Sequence, residues 1–302
     1  MQNLILVLLT LFSLSCSNTD NGNTTQPTDG PETDSQTDVL PEVEDTGFDF
    51  TATNTEGWEL LWEDDFDDNL SDWNIWNGGA FNNELQFYQE DNLTVDDGYL
   101  FVRQKRETET GVTTPFDATV KSFNFTSGRV ETKQLFSPAL EGGVLRIAAR
   151  IKLPAGAGLW PAFWSYGDPW PTQGEIDIIE FRGNKVNEYV ANYFYGVEAS
   201  MPLTDSSQTT FTLDTGVDLT NEFHVYELEW SENTLVISLD GTPINTFSTA
   251  EFQYVDDMFD KSQKIVLNLA VGGNFFNGQN LDVNDIPDST YMIVDWVKVF
   301  KQ

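Results

Sequence analysis

Short apolar runs that alternate in period two dominate the sequence from Phe48 to the end of the chain. Successive residues of a β-strand face opposite sides of a sheet, so these runs predict strands with one buried face. Asn, Gly, Asp and Pro separate the runs, and no long stretch has helical periodicity. Clear examples are residues 98–104, 143–151, 225–230, 234–241 and 291–300. The pattern predicts an all-β sandwich or jelly roll that forms one domain, residues 48–302.

The segment before Phe48 has a different composition. Residues 4–15 form an apolar run that is too short to cross a bilayer but has the length of a signal-peptide core, and Cys16 follows it. We interpret residues 1–16 as a lipoprotein-type signal with Cys16 as the lipidation site; the alternative is an ordinary cleaved signal. Residues 17–47 lack Lys, Arg and aromatic residues, which predicts a flexible acidic linker. The chain is therefore expected to be an exported lipoprotein of the bacterial outer membrane or cell surface.

Charge and composition exclude several classes of function. The net charge is −34, from 15 basic and 49 acidic residues, and such a surface repels the phosphates of nucleic acids and anionic lipids. The lipid anchor is then the only expected membrane contact. One cysteine excludes an intrachain disulfide, and one histidine, His224, argues against a serine triad or a multi-histidine zinc site. The side chains that remain as candidates for catalysis are therefore carboxylates. Because the surface is strongly acidic, the expected partner is a neutral glycan.

The segment 174–180 carries three acids in a distinctive pattern, Gly-Glu-Ile-Asp-Ile-Ile-Glu. On a regular strand Glu175 and Asp177 share one face, but Glu180 falls on the other because Ile179 is one residue too many. A β-bulge at 178–179 would return Glu180 to the acidic face. Repulsion among three carboxylates raises the pKa of at least one of them. Glycoside hydrolysis requires this outcome, because one carboxyl group must be ionised while another is protonated. The alternative is an acidic stripe on a solvated strand.

Large aromatic residues lie just before this acidic segment. Trp160, Trp164, Tyr166 and Trp170 fall within eleven residues of the sequence. Rings beside catalytic acids are suitable platforms for stacking against sugars. The alternative for Trp160 or Trp164 is packing in the hydrophobic core.

The acidic motif and the segment before it resemble glycoside hydrolase family 16, on its laminarinase-like, endo-β-1,3-glucanase branch. The preceding segment, residues 153–164, reads Leu-Pro-Ala-Gly-Ala-Gly-Leu-Trp-Pro-Ala-Phe-Trp. Other segments resemble the family in the same order along the chain: 82–88, 125–130, 149–154, 223–230, 267–273 and 294–299. Several ordered motifs are more specific than one hexapeptide, and together they extend over most of residues 58–302.

The resemblance implies a β-jelly roll with a concave substrate cleft and a double-displacement mechanism that needs no catalytic cofactor. Glu175 would be the nucleophile, Asp177 its helper and Glu180 the acid/base. The implied sugar-binding residues are Trp160, Trp164, Trp170, Arg129, Asn83, Glu84 and Asn192. Related folds hold a structural calcium, for which the matching positions are Asp295, Gly98 and Glu63; the alternative is no metal.

One position departs from the laminarinase pattern. Phe194 stands where those enzymes usually carry a histidine, and Asn-Tyr-Phe at 192–194 is more similar to transglycosylating members of the family. We therefore expect a monomeric, retaining, endo-acting hydrolase of a neutral β-glycan, with laminarin-like β-1,3-glucan as the leading substrate. The alternatives are hydrolysis or transglycosylation of another β-glycan, such as mixed-linkage glucan or agar-type galactan, and a non-catalytic surface protein that binds glycan.

Overall fold

The computed structural model describes residues 39–50, 55–203, 217–302 and, for the backbone only, 209–212. The predicted signal, Cys16 and residues 17–38 of the predicted linker lie outside the described residues. Glu44–Gln302 form one compact unit. No helix among the described residues has the length and apolarity that a membrane span requires.

Strands are the main regular structure of the described chain, with four single-turn 3-10 helices between them. The strands are β1 (Glu59–Asp64), β2 (Trp73–Ile75), β3 (Gln86–Tyr88), β4 (Leu93–Asp96), β5 (Tyr99–Lys105), β6 (Glu109–Thr114), β7 (Asp117–Phe123), β8 (Phe125–Ser127), β9 (Arg129–Thr132), β10 (Leu145–Lys152), β11 (Leu159–Tyr166), β12 (Glu175–Glu180), β13 (Glu188–Phe194), β14 (Thr209–Thr212), β15 (His224–Trp230), β16 (Thr234–Leu239), β17 (Thr242–Ser248), β18 (Lys264–Val271) and β19 (Ser289–Lys301). The 3-10 helices are Glu90–Asn92, Asp256–Met258, Asn274–Phe276 and Val283–Asp285.

The strands form two large sheets and one hairpin. The first sheet has the order β17-β16-β15-β10-β19-β5-β8-β3, with β1 also paired to β19 and β4 to β5. The second sheet has the order β14-β13-β12-β11-β18-β9-β2, and β6 pairs with β7 as a separate hairpin. Pairing is antiparallel throughout the described strands except between β3 and β8. The predicted all-β sandwich is confirmed.

The main hydrophobic core contains side chains from both large sheets. Phe163, Ile176 and Leu267 come from the seven-stranded sheet, and Ile147 and Val297 come from the ten-stranded sheet. All five are 0% exposed, and burial of such a side chain is worth about 1.5–3 kcal/mol. Because neighbouring residues of a strand alternate in direction, the residues between these core positions face outward. The outward face of the seven-stranded sheet is called the site face below.

The folded unit begins before Phe48. The Arg150 side chain on β10 donates to Asp45 Oδ1 at 2.6 Å. It also donates to two main-chain oxygens, those of Thr46 at 3.2 Å and of Phe48 at 2.9 Å. The Phe223 amide donates to the Thr46 carbonyl at 3.0 Å as well. Residues 44–47, which composition alone places in the linker, are therefore held to the β-sandwich by Arg150 and Phe223.

Candidate active site

A β-bulge in β12 brings the three acids to the site face. Against β11, Asp177 pairs with Trp164 and Ile179 with Phe163, which leaves Ile178 as an extra residue. The register against β13 shifts at the same place, between Asp177 and Glu180. The bulge predicted at 178–179 is confirmed. It keeps the isoleucines in the core and places Glu180 on the same side of the sheet as Asp177.

The acids are packed closely enough to change each other's ionisation. Burial, and then the charge of Glu180, raises the pKa of Glu175; the nearby Trp170 indole and Arg129 lower it. The pKa of Asp177, which is 5% exposed, is raised well above its ordinary value by burial and by both glutamates. Burial raises the pKa of Glu180 to about 7. The cluster therefore holds at least one proton in neutral solution.

Trp160 contacts Glu180 directly. Its indole Nε1 donates to Glu180 Oε1 at 3.1 Å, which stabilises the ionised carboxylate and partly offsets the effect of burial on its pKa. The indole stacks on Phe275 with ring centroids 4.5 Å apart and is 9% exposed. The Arg182 guanidinium covers the other ring of this pair, 3.7 Å from the Phe275 centroid. Trp160 therefore holds the Glu180 side chain in place.

Trp164 heads a chain of hydrogen bonds that ends at a fourth carboxyl group. Its Nε1 donates to Asn268 Oδ1 at 2.7 Å, and Asn268 Nδ2 donates to the Tyr88 hydroxyl at 3.1 Å. Tyr88 donates in turn to Glu84 Oε2 at 3.2 Å, which also accepts from Gln86 Nε2 at 2.6 Å. Burial raises the pKa of Glu84 to about 7. Glu84 also raises the pKa of Glu180 by its charge, so the predicted sugar-binding residue Glu84 lies beside the acids.

Two asparagine-rich loops meet beside Glu84. Asn83 Nδ2 donates to Asn274 Oδ1 at 2.9 Å, and the Asn274 amide donates to the Asn82 carbonyl at 2.7 Å. Gly273 has a φ of +80°, and a Cβ there would lie 2.9 Å from the Asn82 oxygen. A glycine is required for this close approach of the loops. Asn83 is exposed and available to a ligand.

Arg129 lies on the site face but is only 5% exposed. Its Nη2 donates to Glu131 Oε1 at 2.6 Å, and Lys264 Nζ lies 2.8 Å from Glu131 Oε2. The guanidinium lies between two indoles, 4.3 Å from the Trp76 centroid and 4.9 Å from that of Trp164. Arg129 therefore connects the two rings through cation–π contacts. Its contact with sugar stays a prediction.

Trp170, Asn192 and Phe194 surround the other end of the acidic strand. On β13, Asn192 pairs with Asp177 and Phe194 pairs with Glu175. Asn192 is 5% exposed and its Oδ1 accepts from the Tyr193 amide at 2.9 Å. The Trp170 and Phe194 rings lie 6.0 Å apart. Phe194, where the sequence departs from the laminarinase pattern, thus forms an aromatic wall with Trp170 next to Glu175.

Sequence reasoning missed four residues that shape the site. They are Trp76, Tyr88, Asn268 and Phe275. Asn268 had a signal in the sequence, since it is a lone polar residue in the apolar run 267–271. Trp76 and Phe275 carry no local signal, because Arg129 and Trp160, which they contact, are far away in the sequence. Tyr88 lies in the family-like segment 82–88, but its contact with Asn268 joins residues 180 positions apart.

The predicted calcium ligands do not form a cage of side-chain oxygens. Asp295 Oδ2 accepts from Arg150 Nη1 at 2.6 Å, and Lys298 Nζ lies 3.4 Å from Glu63 Oε2. Within the described residues no group of three or more His, Cys, Asp or Glu side chains is arranged to hold a metal. A calcium ion beside Asp295 would need main-chain oxygens, such as that of Gly98, and would compete with a guanidinium.

Comparison with known proteins gives consistent matches. Residues 87–298 match the sequence model of glycosyl hydrolases family 16. The chain is 34% identical over 255 residues to a glucan endo-1,3-beta-glucosidase of Cryptopygus antarcticus, across 78% of this chain and 88% of that protein. It is 32% identical over 273 residues to glucan endo-1,3-beta-glucosidase A1 of Niallia circulans, across 82% of this chain and 38% of that protein. The matched region therefore spans less than half of the Niallia relative.

A solved structure matches over nearly its full length. The endo-beta-1,3-glucanase from Pyrococcus furiosus aligns with a TM-score of 0.65 and 32% identity, covering 81% of this chain and 94% of the other. The predicted jelly roll is confirmed by this match and by the sheet topology. The family profile covers the acid-bearing strand β12 and both of its neighbours. This chain belongs to glycosyl hydrolases family 16.

Proposed function

We propose that this protein is a retaining, endo-acting hydrolase of β-1,3-glucan. The observation that carries the proposal is the bulged strand β12, which presents Glu175, Asp177 and Glu180 on one face beside Trp160 and Trp164. The endo-1,3-glucanase names of the Cryptopygus, Niallia and Pyrococcus relatives support β-1,3-glucan as the substrate.

The arrangement supports a double displacement with a different role for each acid. A Glu175 carboxylate oxygen bonds to the anomeric carbon while the glycosidic C–O bond breaks and Glu180 donates its proton to the leaving oxygen. In the second step Glu180 removes a proton from water, whose oxygen attacks the anomeric carbon and releases Glu175. Asp177 lies between the two in the strand, and the charges of both glutamates raise its pKa.

Product analysis tests the proposal. The protein is incubated with laminarin, mixed-linkage glucan and agar, and the products are separated by size. We expect laminarin to give a series of short oligosaccharides, and proton NMR to show the β-anomer as the first product. Release of single sugars only, an α-anomer first, or preferential cutting of agar would contradict the proposal.

Transfer to a second sugar is the alternative that one observation favours. The aromatic wall of Trp170 and Phe194 beside Glu175 is apolar, and it would disfavour water near the glycosyl-enzyme relative to a stacked sugar acceptor. Products longer than the starting oligosaccharide at high substrate concentration would identify transfer.

Glu180→Gln should stabilise the fold at alkaline pH, because the raised pKa of Glu180 costs stability there. In the native state the carboxyl titrates at about 7 instead of 4.5, so its contribution is fully present below pH 4.5 and is lost as pH rises through 7. The variant should gain up to about 3 kcal/mol at pH 8, with a corresponding rise in Tm, and nothing at pH 4. Calorimetry at both pH values measures this. Glu222→Gln, at an exposed glutamate, is the control, and equal gains at both pH values would contradict the assignment.

The structural calcium at Asp295 stays a prediction. If the ion binds the folded state, EDTA should lower Tm and added calcium should restore it by mass action. Asp295→Asn should abolish that response. An unchanged Tm after EDTA treatment and after added calcium would contradict the predicted ion.

Export and lipid anchoring at Cys16 also stay proposals. They are supported by the apolar run that ends before Cys16. Cys16→Ala should move the protein from the membrane fraction to the soluble fraction of its host, as detected by immunoblotting. A variant that still sediments with membranes would disprove the anchor.

A further inference from the structure

Three aromatic side chains extend the site face beyond the edge of its sheet. Trp76 follows β2, Phe81 lies in the next loop, and Phe116 lies at the turn between β6 and β7. The ring centroids of Trp76 and Phe81 are 6.4 Å apart, and those of Phe81 and Phe116 are 5.9 Å apart. Phe81 is 38% exposed and Phe116 is 87% exposed. These three residues are called the aromatic row.

The aromatic row continues from the acids without a break. Trp164 on β11 pairs with Asp177, and Arg129 lies between the Trp164 and Trp76 rings. From β11 the sheet continues through β18 and β9 to the edge strand β2. With neighbouring strands about 4.8 Å apart, this path covers about 14 Å, and the aromatic row prolongs it in the same chain of contacts.

The hairpin β6–β7, which carries Phe116, is fixed to the body of the protein near the acids. The Gly79 amide donates to the Val112 carbonyl at 3.1 Å, and the Phe87 and Phe123 rings pack edge to face at 5.4 Å. Lys121 of the same hairpin lowers the pKa of Glu84 by its charge. The base of the hairpin therefore lies beside the site, and its tip presents an exposed ring.

We propose that the aromatic row is a distal binding platform for the glucan chain, which makes the enzyme favour long β-1,3-glucans over short oligosaccharides. Flat apolar rings stack on the C–H faces of neutral sugars, so each exposed ring of the row adds a contact for a long chain. The proposal rests on the proposed function, because it takes its ligand from the same site.

A double variant, Phe81→Ala with Phe116→Ala, tests the platform. On laminarin its KM should rise about two- to tenfold with kcat unchanged, and its binding to insoluble β-1,3-glucan should weaken. Its kcat/KM on laminaritetraose should equal that of the wild type. Leu140→Ala, at an apolar residue that is 76% exposed outside the row, is the matched control and should match the wild type on both substrates.

Three results would overturn the platform while leaving the enzyme a β-1,3-glucanase. They are unchanged laminarin kinetics, an equal loss on laminarin and laminaritetraose, and a change in self-association without a change in glucan binding. A wild type that cuts no β-1,3-glucan contradicts the proposed function itself, and the platform is then rejected with it.

A second, independent observation concerns the β-bulge. Tyr189, at the β13 position before Val190, is 0% exposed, and its hydroxyl donates to the carbonyl oxygen of Ile178 at 2.7 Å. Ile178 is the residue that the bulge takes out of register. The Tyr189 ring packs near that of Tyr226, with centroids 5.9 Å apart.

Only the correct placement of this bulge puts Glu180 on the site face. A strand that recovers regular alternation would turn Glu180 toward the core, because the side-chain period is two. A buried carbonyl at an irregular position needs a fixed donor, since an unsatisfied buried group is costly. The geometry points to Tyr189 as a positioning residue that fixes the bulge and, through it, the acid/base.

Tyr189→Phe and Tyr193→Phe form a matched pair for this test. Tyr193, on the same strand, also donates its hydroxyl to a main-chain oxygen, that of Gln253 at 2.8 Å, away from the bulge. Both variants should lose a similar amount of Tm. Only Tyr189→Phe should lower kcat, about ten- to hundredfold, with KM unchanged. The same variant should shift the pH profile and should lose more activity on laminarin than on an aryl glycoside.

Measurements well below both Tm values separate positioning from stability. If Tyr189→Phe keeps the wild-type kcat and pH profile, or if Tyr193→Phe loses as much activity, Tyr189 has no special role. A loss that is equal on laminarin and the aryl glycoside would also contradict an effect through Glu180.

Discussion

Replacing Glu175 with alanine should abolish turnover of β-1,3-glucan, because no glycosyl-enzyme can form without the carboxylate oxygen. The loss should equal or exceed about 10⁴-fold, the upper end of what acid/base assistance alone contributes. A reducing-sugar assay on laminarin measures it. Since Glu175 is also a source of repulsion within the acid cluster, the variant should not unfold at a lower temperature than the wild type at pH 8.

Chemical rescue distinguishes a lost nucleophile from a damaged site. Azide can occupy the space of the missing carboxylate and attack an activated aryl glycoside directly, which gives a glycosyl azide of inverted configuration. Glu229→Ala is a suitable control, because Glu229 lies on the ten-stranded sheet, away from the acids. Its Oε1 is 2.7 Å from Arg146 Nη2. We expect the control to keep its activity. An active Glu175→Ala variant, or rescue with retained configuration, would reject Glu175 as the nucleophile.

Replacing Glu180 with alanine should give the second-largest effect, with a marked dependence on the leaving group. Activity on laminarin should fall about 10²–10⁴-fold, because the departing sugar oxygen needs a proton. Activity on an aryl glycoside with a good leaving group should fall much less in the first step. The Trp160 indole that donates to Glu180 would lose its partner, so Trp160→Phe should show a weaker form of the same dependence.

The pH profile provides an independent check on Glu180. The basic limb of kcat/KM for the wild type should reflect the acid with a pKa of about 7, and Glu180→Ala should lose that limb on the aryl substrate. A purely glycan-binding protein would release no reducing ends and would keep its affinity in both variants. Equal losses on the two substrates would remove the proton-donor role.

The sequence alone determined the features that depend on near neighbours in the chain. Period-two alternation predicted an all-β sandwich, because odd and even positions of a strand face opposite sides of the sheet. The same rule identified the bulge in β12, since one additional isoleucine separates Asp177 from Glu180. Composition identified the acidic segment before the domain, although hydrogen bonds to Arg150 and Phe223 hold residues 44–47 of that segment to the sandwich.

Only the tertiary structure decided which distant side chains meet the acids. The stacking of Trp160 on Phe275 and the chain from Trp164 through Asn268 to Tyr88 join residues more than a hundred positions apart. These contacts depend on the order and register of strands, which alternation within one strand does not specify. The sequence also predicted Arg129 as a site residue but did not predict its burial beside two indoles. Burial depends on which side chains from neighbouring strands and loops cover a residue.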